Sequence, residues 1–222
     1  MKSFQGIFER AAKRHGGEKS LKKKLSKPLS PAKLRSIPDD RWLSEFSKSV
    51  FQAGFVWRVV ENKWPDFESI FNHFDLVHCA YLSDEDLEAL TANERVIRHL
   101  KKLQSIRANA NFLLEKTEEF GGVGKFINSF GADDYCQLLL ELKSHGSRLG
   151  GTSAQYCLRR LGVDSYILTQ DVVRALQQAN IITKNANSKR DLLNVQAAFN
   201  YWRQESGLSL TELSRILALS VD

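Results

Sequence analysis

Apolar residues recur every three or four positions along most of this 222-residue chain, and this helical period constrains the fold most strongly. Residues 42–53 carry four apolar side chains on one helical face: Trp42, Phe46, Val50 and Ala53. Residues 94–115 repeat the pattern, with four bases on the more polar side: Arg98, Lys101, Lys102 and Arg107. No Asn-Gly turn or sustained apolar–polar alternation requires a strand. We therefore expect an all-α fold of about nine or ten helices.

Two sequence segments are typical of helix starts. Ser83-Asp84-Glu85-Asp86 and Ser209-Leu210-Thr211-Glu212 each place a hydroxyl three residues before an acid, which is the pattern of a capping box. Both precede apolar runs, so we expect a helix to begin after Ser83 and another after Ser209.

Positive charge is concentrated in the N-terminal segment. The formal net charge is +6, but residues 1–35 contain eleven Lys and Arg against two Glu, a net +9, which leaves −3 for residues 36–222. Such a segment can bind DNA phosphates without sequence preference, although a solvated terminal arm would have the same composition. We expect residues 1–36 to form a basic segment and residues 37–222 to form the helical domain.

The cysteine pattern argues against a disulfide framework or a zinc site. Cys79, Cys136 and Cys157 are widely spaced and never form Cys-x-x-Cys, so we expect three core thiols in a reducing compartment. No run of about 18 apolar residues could span a bilayer, and no secretory signal is present. We therefore expect a cytoplasmic protein with no metal, no cofactor and no membrane contact.

Residues 134–162 contain a helix, a glycine-rich turn and a second helix. The first helix is predicted to end at His145, and the second to begin at Thr152. Turn amides and the N-terminus of the second helix can bind one DNA phosphate, and glycine allows the backbone to approach it. The predicted DNA-binding residues are Arg148, Gly150, Gly151, Thr152 and Ser153. An ordinary helical hairpin with a glycine cap would show a similar turn.

An acidic residue follows this hairpin. Asp171 lies 17 positions beyond Ala154, and Thr169 is placed to cap a helix with Asp171 in its first turn. In this spacing the chain resembles helix-hairpin-helix DNA glycosylases, whose catalytic Asp lies about this far beyond the hairpin. Asp171 is therefore the predicted catalytic residue. An acid at this position could instead stabilise the helix dipole without taking part in chemistry.

A second set of motifs precedes the hairpin. Gln52-Ala53-Gly54-Phe55-Val56-Trp57 is followed by Phe74-Asp75, and then by Ile97-Arg98-His99 with Lys102. In order and spacing these segments resemble Q-A-G-x-x-W, F-x-x-F-D and I-I-R-[HN]-x-x-K of the DNA-3-methyladenine glycosylase I family. The similarity covers residues 39–165.

This resemblance implies a two-lobed helix-hairpin-helix fold and an enzyme that hydrolyses the N-glycosidic bond of an alkylated, 3-methyladenine-like base. Such an enzyme must flip the base out of double-stranded DNA. Trp57 falls on the family's pocket tryptophan, with a plain core aromatic as the alternative; Trp42, Trp64 and Trp202 are expected in the core. The predicted base pocket consists of Trp57, Ser49, Gln52, Gly54 and Glu45.

The chain also departs from the family, which indicates a divergent branch. The family's base-recognising Glu is replaced by Ser49, and Glu45 lies one helical turn earlier without matching the motif. The family's zinc ligands have no counterpart here. Thr152 stands where bifunctional relatives carry a lysine, so we expect a monofunctional, monomeric enzyme. The alternatives are a non-catalytic DNA- or damage-binding protein and a helical interaction protein with no nucleic-acid role.

Overall fold

The computed structural model describes residues 3–186 and 188–221, and these residues form α-helices, two 3₁₀ helices and no strand. The α-helices are α1 (Gln5–Arg14), α2 (Glu18–Lys22), α3 (Pro31–Arg35), α4 (Asp39–Gln52), α5 (Trp57–Ile70), α6 (Leu76–Ala80), α7 (Asp84–Ala89), α8 (Leu100–Phe120), α9 (Val123–Asn128), α10 (Tyr135–His145), α11 (Thr152–Arg160), α12 (Gln170–Gln178), α13 (Lys189–Ser206) and α14 (Leu210–Leu219). The 3₁₀ helices are Asn72–Phe74 and Leu90–Ala92.

The predicted all-α fold is confirmed, but the expected number of helices is wrong. The described residues form fourteen α-helices, of which α2, α3, α6, α7 and α9 have only five or six residues. A helix of fewer than two turns is too short to display a hydrophobic period, so the sequence pattern did not reveal these five.

Local hydrogen bonds fix the helix starts. The two predicted capping boxes are confirmed, Ser83 with Asp86 at α7 and Ser209 with Glu212 at α14. The long helix predicted from residue 94 begins only at Leu100, because the carboxamide oxygen of Asn93 accepts from the Arg95 N–H at 2.9 Å. This local bond offers the backbone an alternative to the helix.

The chain divides into two compact units. Unit 1 comprises residues 1–30, 130–140 and 158–222, and unit 2 comprises residues 31–129 and 141–157. The boundary that we predicted between residues 36 and 37 stays a prediction. Among the described residues, no helix combines the length and the hydropathy needed to cross a bilayer. The three cysteines are free and buried, which confirms the predicted core thiols.

Unit 1 has an aromatic core. Tyr166 stacks on Phe199 with ring centroids 4.6 Å apart, and Trp202 meets Phe199 edge-on. The basic N-terminal segment is anchored here, since Phe4 contacts Trp202 and α1 packs against α14. Four side chains of this segment are buried: Phe4, Ile7, Ala11 and Leu21. The segment is therefore helical and packed, which excludes a fully solvated arm, while most of its lysines remain exposed.

Unit 2 packs α4, α6 and α9 against the long helix α8. Its core contains a series of aromatic rings in which Trp64 stacks on Phe67 and Phe74, with centroids 4.9 and 5.3 Å away. Trp42 is also fully buried, and with Trp202 in unit 1 this confirms the three predicted core tryptophans. Helices α3 and α9 approach so closely that a Cβ on Gly124 would lie 2.5 Å from the Leu34 carbonyl oxygen.

Candidate functional site

Unit 2 contains a cavity of about 170 Å³ between the end of α4, the start of α5 and the start of α11. It is lined by Ser49, Gln52, Ala53, Gly54, Trp57, Thr152, Ser153 and Tyr156. Four of the five predicted pocket residues therefore line one cavity, together with two of the predicted DNA-binding residues. Glu45 is half-buried on α4 and does not line it.

A sharp change of chain direction forms one wall of this cavity. Helix α4 ends at Gln52, and Gly54 has a φ of +77°, a left-handed conformation that side chains other than glycine rarely adopt. Helix α5 then begins at Trp57. The turn therefore places the last residue of α4 and the first residue of α5 at the same cavity.

Trp57 is not a core residue. It is 45% exposed, and its ring meets that of Tyr156 edge-on, with centroids 5.3 Å apart and an angle of 86° between the planes. This excludes the alternative that Trp57 is an ordinary buried aromatic. Tyr156 itself was not predicted, although it lies one helical turn after Thr152 and therefore on the same face of α11.

Beneath this turn lies a buried lysine whose predicted position was wrong. We expected Lys102 on the polar side of α8, but it is only 4% exposed. Its Nζ donates to the carbonyl oxygens of Phe51 and Ala53 at 3.1 and 2.6 Å, and lies 4.4 Å from the centre of the Phe55 ring. Burial lowers the pKa of this ammonium, and the charge of Arg148 lowers it further.

Because the last carbonyls of a helix lack intrahelical donors, a lysine at this point satisfies them and also interacts favourably with the helix dipole. Helical periodicity could not reveal this position, because a long side chain can cross a core to reach polar atoms on another helix.

The predicted hairpin is present. Helix α10 ends at His145 and α11 begins at Thr152, as expected. The intervening turn contains two residues with positive φ, Arg148 at +62° and Gly151 at +61°. Arg148 is exposed, and neither it nor Gly150 nor Gly151 lines the cavity.

The hairpin turn is held by a side chain that sequence reasoning missed. Asn109 of α8 is fully buried; its Nδ2 donates to the Ser147 carbonyl oxygen at 3.1 Å, and its Oδ1 accepts from the Ser147 N–H at 2.7 Å. This pair of bonds fixes the turn next to the strained Arg148 backbone. An Asn inside a long helix gives no local signal of such a contact, since its partner is 38 residues away.

Gln52 carries an unsatisfied polar atom. The residue is 4% exposed, and its side-chain oxygen Oε1 has no hydrogen-bond partner within the described part of the chain. Buried side-chain acceptors of this kind are uncommon, because leaving one unpaired costs about 1–3 kcal/mol.

Asp171 belongs to unit 1. The predicted cap is confirmed, since the Thr169 hydroxyl accepts from the Val172 N–H, and Asp171 lies in the first turn of α12. Its side chain is 47% exposed, and Oδ1 pairs with the guanidinium of Arg174 at 2.5 Å. The carboxylate is thus accessible and ionically paired with a residue of its own helix. No group of three or more His, Cys, Asp or Glu side chains within residues 3–186 and 188–221 is arranged to hold a metal ion.

Comparison with known proteins gives consistent results. Residues 37–145 match the methyladenine glycosylase family. DNA-3-methyladenine glycosylase 1 of Escherichia coli (strain K12) is 34% identical over 79 residues, which cover 36% of this chain and 42% of that protein. The chain therefore matches less than half the length of this curated relative.

Two solved structures share the fold. The 3-methyladenine DNA glycosylase I of Staphylococcus aureus aligns with a TM-score of 0.54 at 21% identity, covering 65% of this chain and 84% of that one. The 8-oxoguanine DNA glycosylase of Methanocaldococcus jannaschii aligns with a TM-score of 0.56 at 17% identity, covering 95% and 91%. The chain thus has the fold of the helix-hairpin-helix DNA glycosylases, and its residues 37–145 belong to the methyladenine glycosylase family.

Proposed function

We propose that this chain is a DNA glycosylase of base excision repair that flips an alkylated base out of double-stranded DNA and hydrolyses its N-glycosidic bond. The observation that carries the proposal is the half-exposed Trp57 at a small cavity within the segment that matches the family. A large aromatic surface left in water contributes little to folding, and it is well suited to stacking on a planar ligand.

The cavity suits a single base. Its volume of about 170 Å³ is below the range of about 300–1,000 Å³ found for drug-sized ligands. Trp57 and Tyr156 provide aromatic surface for a flipped base. Alkylation at a ring nitrogen makes the base in DNA a cation and therefore a good leaving group, so the reaction needs little general-acid catalysis.

The hairpin supplies a phosphate site beside this cavity. The N-terminus of the nine-residue helix α11 carries Thr152 and Ser153, both of which line the cavity. Free N–H groups at a helix N-terminus bind phosphate oxygens, and the exposed Arg148 adds a positive charge to the turn. We propose that this end of α11 binds the backbone of the strand that contains the flipped base.

Apolar side chains next to the cavity support insertion into the duplex. Phe55 and Val56 are 39% and 69% exposed and directly precede Trp57. Proteins that deform DNA commonly insert apolar side chains between base pairs. We propose that Phe55 enters the base stack and occupies the space that the flipped base leaves.

Asp171 is proposed to act on the sugar. As the C1′–N bond breaks, its electron pair stays with the departing base, and positive charge develops on the sugar. A carboxylate stabilises that charge and can orient the water that attacks C1′. Thr152, which has no amine to attack the sugar, favours hydrolysis without strand cleavage.

The test is base release. The purified chain, incubated with methylated duplex DNA, should release methylated purine detectable by mass spectrometry, and it should act as a monomer. The variant Asp171→Asn should bind the same DNA and lose most of the release. Equal rates for Asp171→Asn and the wild type would reduce Asp171 to a helix-stabilising residue.

A second candidate is a damage-binding protein without catalysis. It is favoured by one observation, the buried Ser49 at the position where the family carries its recognition Glu. Such a protein would retain alkylated DNA and release no base over any length of incubation. The same experiment therefore distinguishes the two candidates.

A further inference from the structure

We propose that Gln52 determines which base the cavity accepts, and that it selects bases by an N–H donor on their edge and not by positive charge. This inference deepens the proposed function and rests on it. It predicts that neutral bases which present an N–H donor are accepted as readily as cationic ones.

The first argument is the unpaired oxygen of Gln52. Its Oε1 is buried without a partner in the described residues, while the residue lines the cavity at the C-terminal end of α4. A buried acceptor is costly unless a donor is present. A base that places an amino or ring N–H against this oxygen would remove that cost upon binding, so hydrogen-bonding bases gain affinity at this position.

The second argument is the charge of the surroundings. None of the described residues that line the cavity is charged; its polar groups are the Gln52 amide and the hydroxyls of Ser49, Thr152, Ser153 and Tyr156. The nearest wall is instead close to a cation, since the Lys102 Nζ donates to the carbonyl oxygen of the lining residue Ala53 at 2.6 Å. A buried ammonium repels a cationic base and leaves a neutral base unaffected.

The third argument is the size of the remaining attraction. Stacking on Trp57 does favour a cation, but cation–π contacts at partly exposed rings are modest. The Lys102 charge opposes this gain. Donor geometry at Gln52 therefore outweighs charge in selecting the base.

Three small probes separate these contributions. 9-Methyladenine is neutral and has an amino group, 3,9-dimethyladeninium has the same amino group with a permanent positive charge, and N6,N6,9-trimethyladenine is neutral without amino hydrogens. Binding of each to the full chain is measured through the fluorescence of Trp57 and by calorimetry. We expect the first two to bind within about threefold of each other, and the third to bind at least about tenfold more weakly.

Two variants of nearly unchanged size assign the effect to Gln52. Gln52→Leu should weaken binding of 9-methyladenine about tenfold and leave N6,N6,9-trimethyladenine unchanged. Its melting temperature should be equal or higher, because an unpaired buried amide has been removed; a residue needed only for folding would lower it. Gln52→Glu adds a carboxylate and should create about a tenfold preference for the cationic probe.

The inference is overturned if the wild type prefers the cationic probe by more than about tenfold, or if Gln52→Leu binds 9-methyladenine like the wild type. Failure of the proposed function has a different result. A chain that binds these probes through Gln52 and releases no base from DNA would disprove the glycosylase and leave the binding selectivity intact.

Discussion

Two tryptophans on helix α5, seven residues apart, have opposite surroundings. Trp64 is 6% exposed and lies parallel to Phe67 and Phe74 in the core of unit 2. Trp57, at the first position of the same helix, is 45% exposed and contacts Tyr156 edge-on at the cavity. One end of α5 is thus part of the core, and the other presents aromatic surface to solvent.

The difference separates residues that maintain the fold from residues available to a ligand. The indole Nε1 of Trp64 donates to the Ser44 hydroxyl at 3.1 Å, and that hydroxyl donates to Glu68 at 2.6 Å, so Trp64 is fixed by both packing and hydrogen bonds. Around Trp57, the exposed side chains of Val56 and Val59 extend the apolar surface. Substitutions at the two ends of α5 should therefore affect different properties.

The largest effect is expected at the buried end. Trp64→Ala leaves a cavity among stacked rings and should lower the free energy of unfolding by about 3–5 kcal/mol. Trp57→Ala, its matched control on the same helix, should lower it by less than about 1 kcal/mol. Chemical denaturation of both variants measures the two values. Similar losses would contradict the distinction between the two ends.

The hairpin turn sharpens the comparison, because Asn109 is buried and yet supports the proposed phosphate site. Asn109→Ala removes both hydrogen bonds to Ser147 and should cost about 1–3 kcal/mol of stability while also weakening duplex binding. Asn111→Ala on the same helix is the control, since Asn111 is exposed and its carboxamide bonds only to the Arg107 carbonyl oxygen. Equal duplex affinities for the two variants would show that the turn does not bind DNA.

A pH dependence is expected from the buried end. Burial alone would raise the pKa of Glu68, but hydrogen bonds from Arg41 and Ser44 outweigh it, and the net pKa is lowered. A carboxyl whose folded pKa lies below its unfolded value stabilises the protein at neutral pH, and this contribution disappears as the pH falls through the acidic range.

Glu68→Gln should therefore lower stability at pH 7 by about 1–2 kcal/mol and flatten its decline in acid. Urea denaturation at a series of pH values measures this change. The exposed Glu85→Gln is the control and should follow the wild-type curve. Parallel curves for Glu68→Gln and the wild type would rule out this network as a source of acid sensitivity.

The smallest effect on stability is expected in the basic segment of unit 1. Lys23 and Lys24 are exposed, so Lys23→Ala with Lys24→Ala should change stability by less than about 0.5 kcal/mol. If these lysines contact phosphates, duplex affinity should fall for all sequences, and the salt slope should decrease by about one for each lost contact. Arg at both positions should restore the slope. An unchanged slope in the double Ala variant would exclude these lysines from the interface.

Features encoded by neighbouring residues were predictable from the sequence. The two capping boxes, the Thr169 cap and the ends of the hairpin helices depend on spacings of a few residues, and all are present. The motif around Trp57 also identified most of the cavity, because its residues lie on both sides of one glycine turn.

Features that depend on distant partners were not predictable. Lys102 lies on a helix whose period indicates a polar face, but its partners are carbonyls about fifty positions earlier in the chain. The Asn109 contact and the unpaired oxygen of Gln52 likewise exist only in the folded chain. Such positions become visible once packing has decided which polar groups are left without water.

The central claim is that the Trp57 cavity receives a base extruded from DNA. The most direct measurement is the amount of free methylated purine released from methylated duplex DNA by the wild type and by Trp57→Ala, compared at equal protein concentration and equal folded fraction. The account predicts release by the wild type and a loss of about tenfold or more in Trp57→Ala. Release at the same rate by both proteins would contradict it.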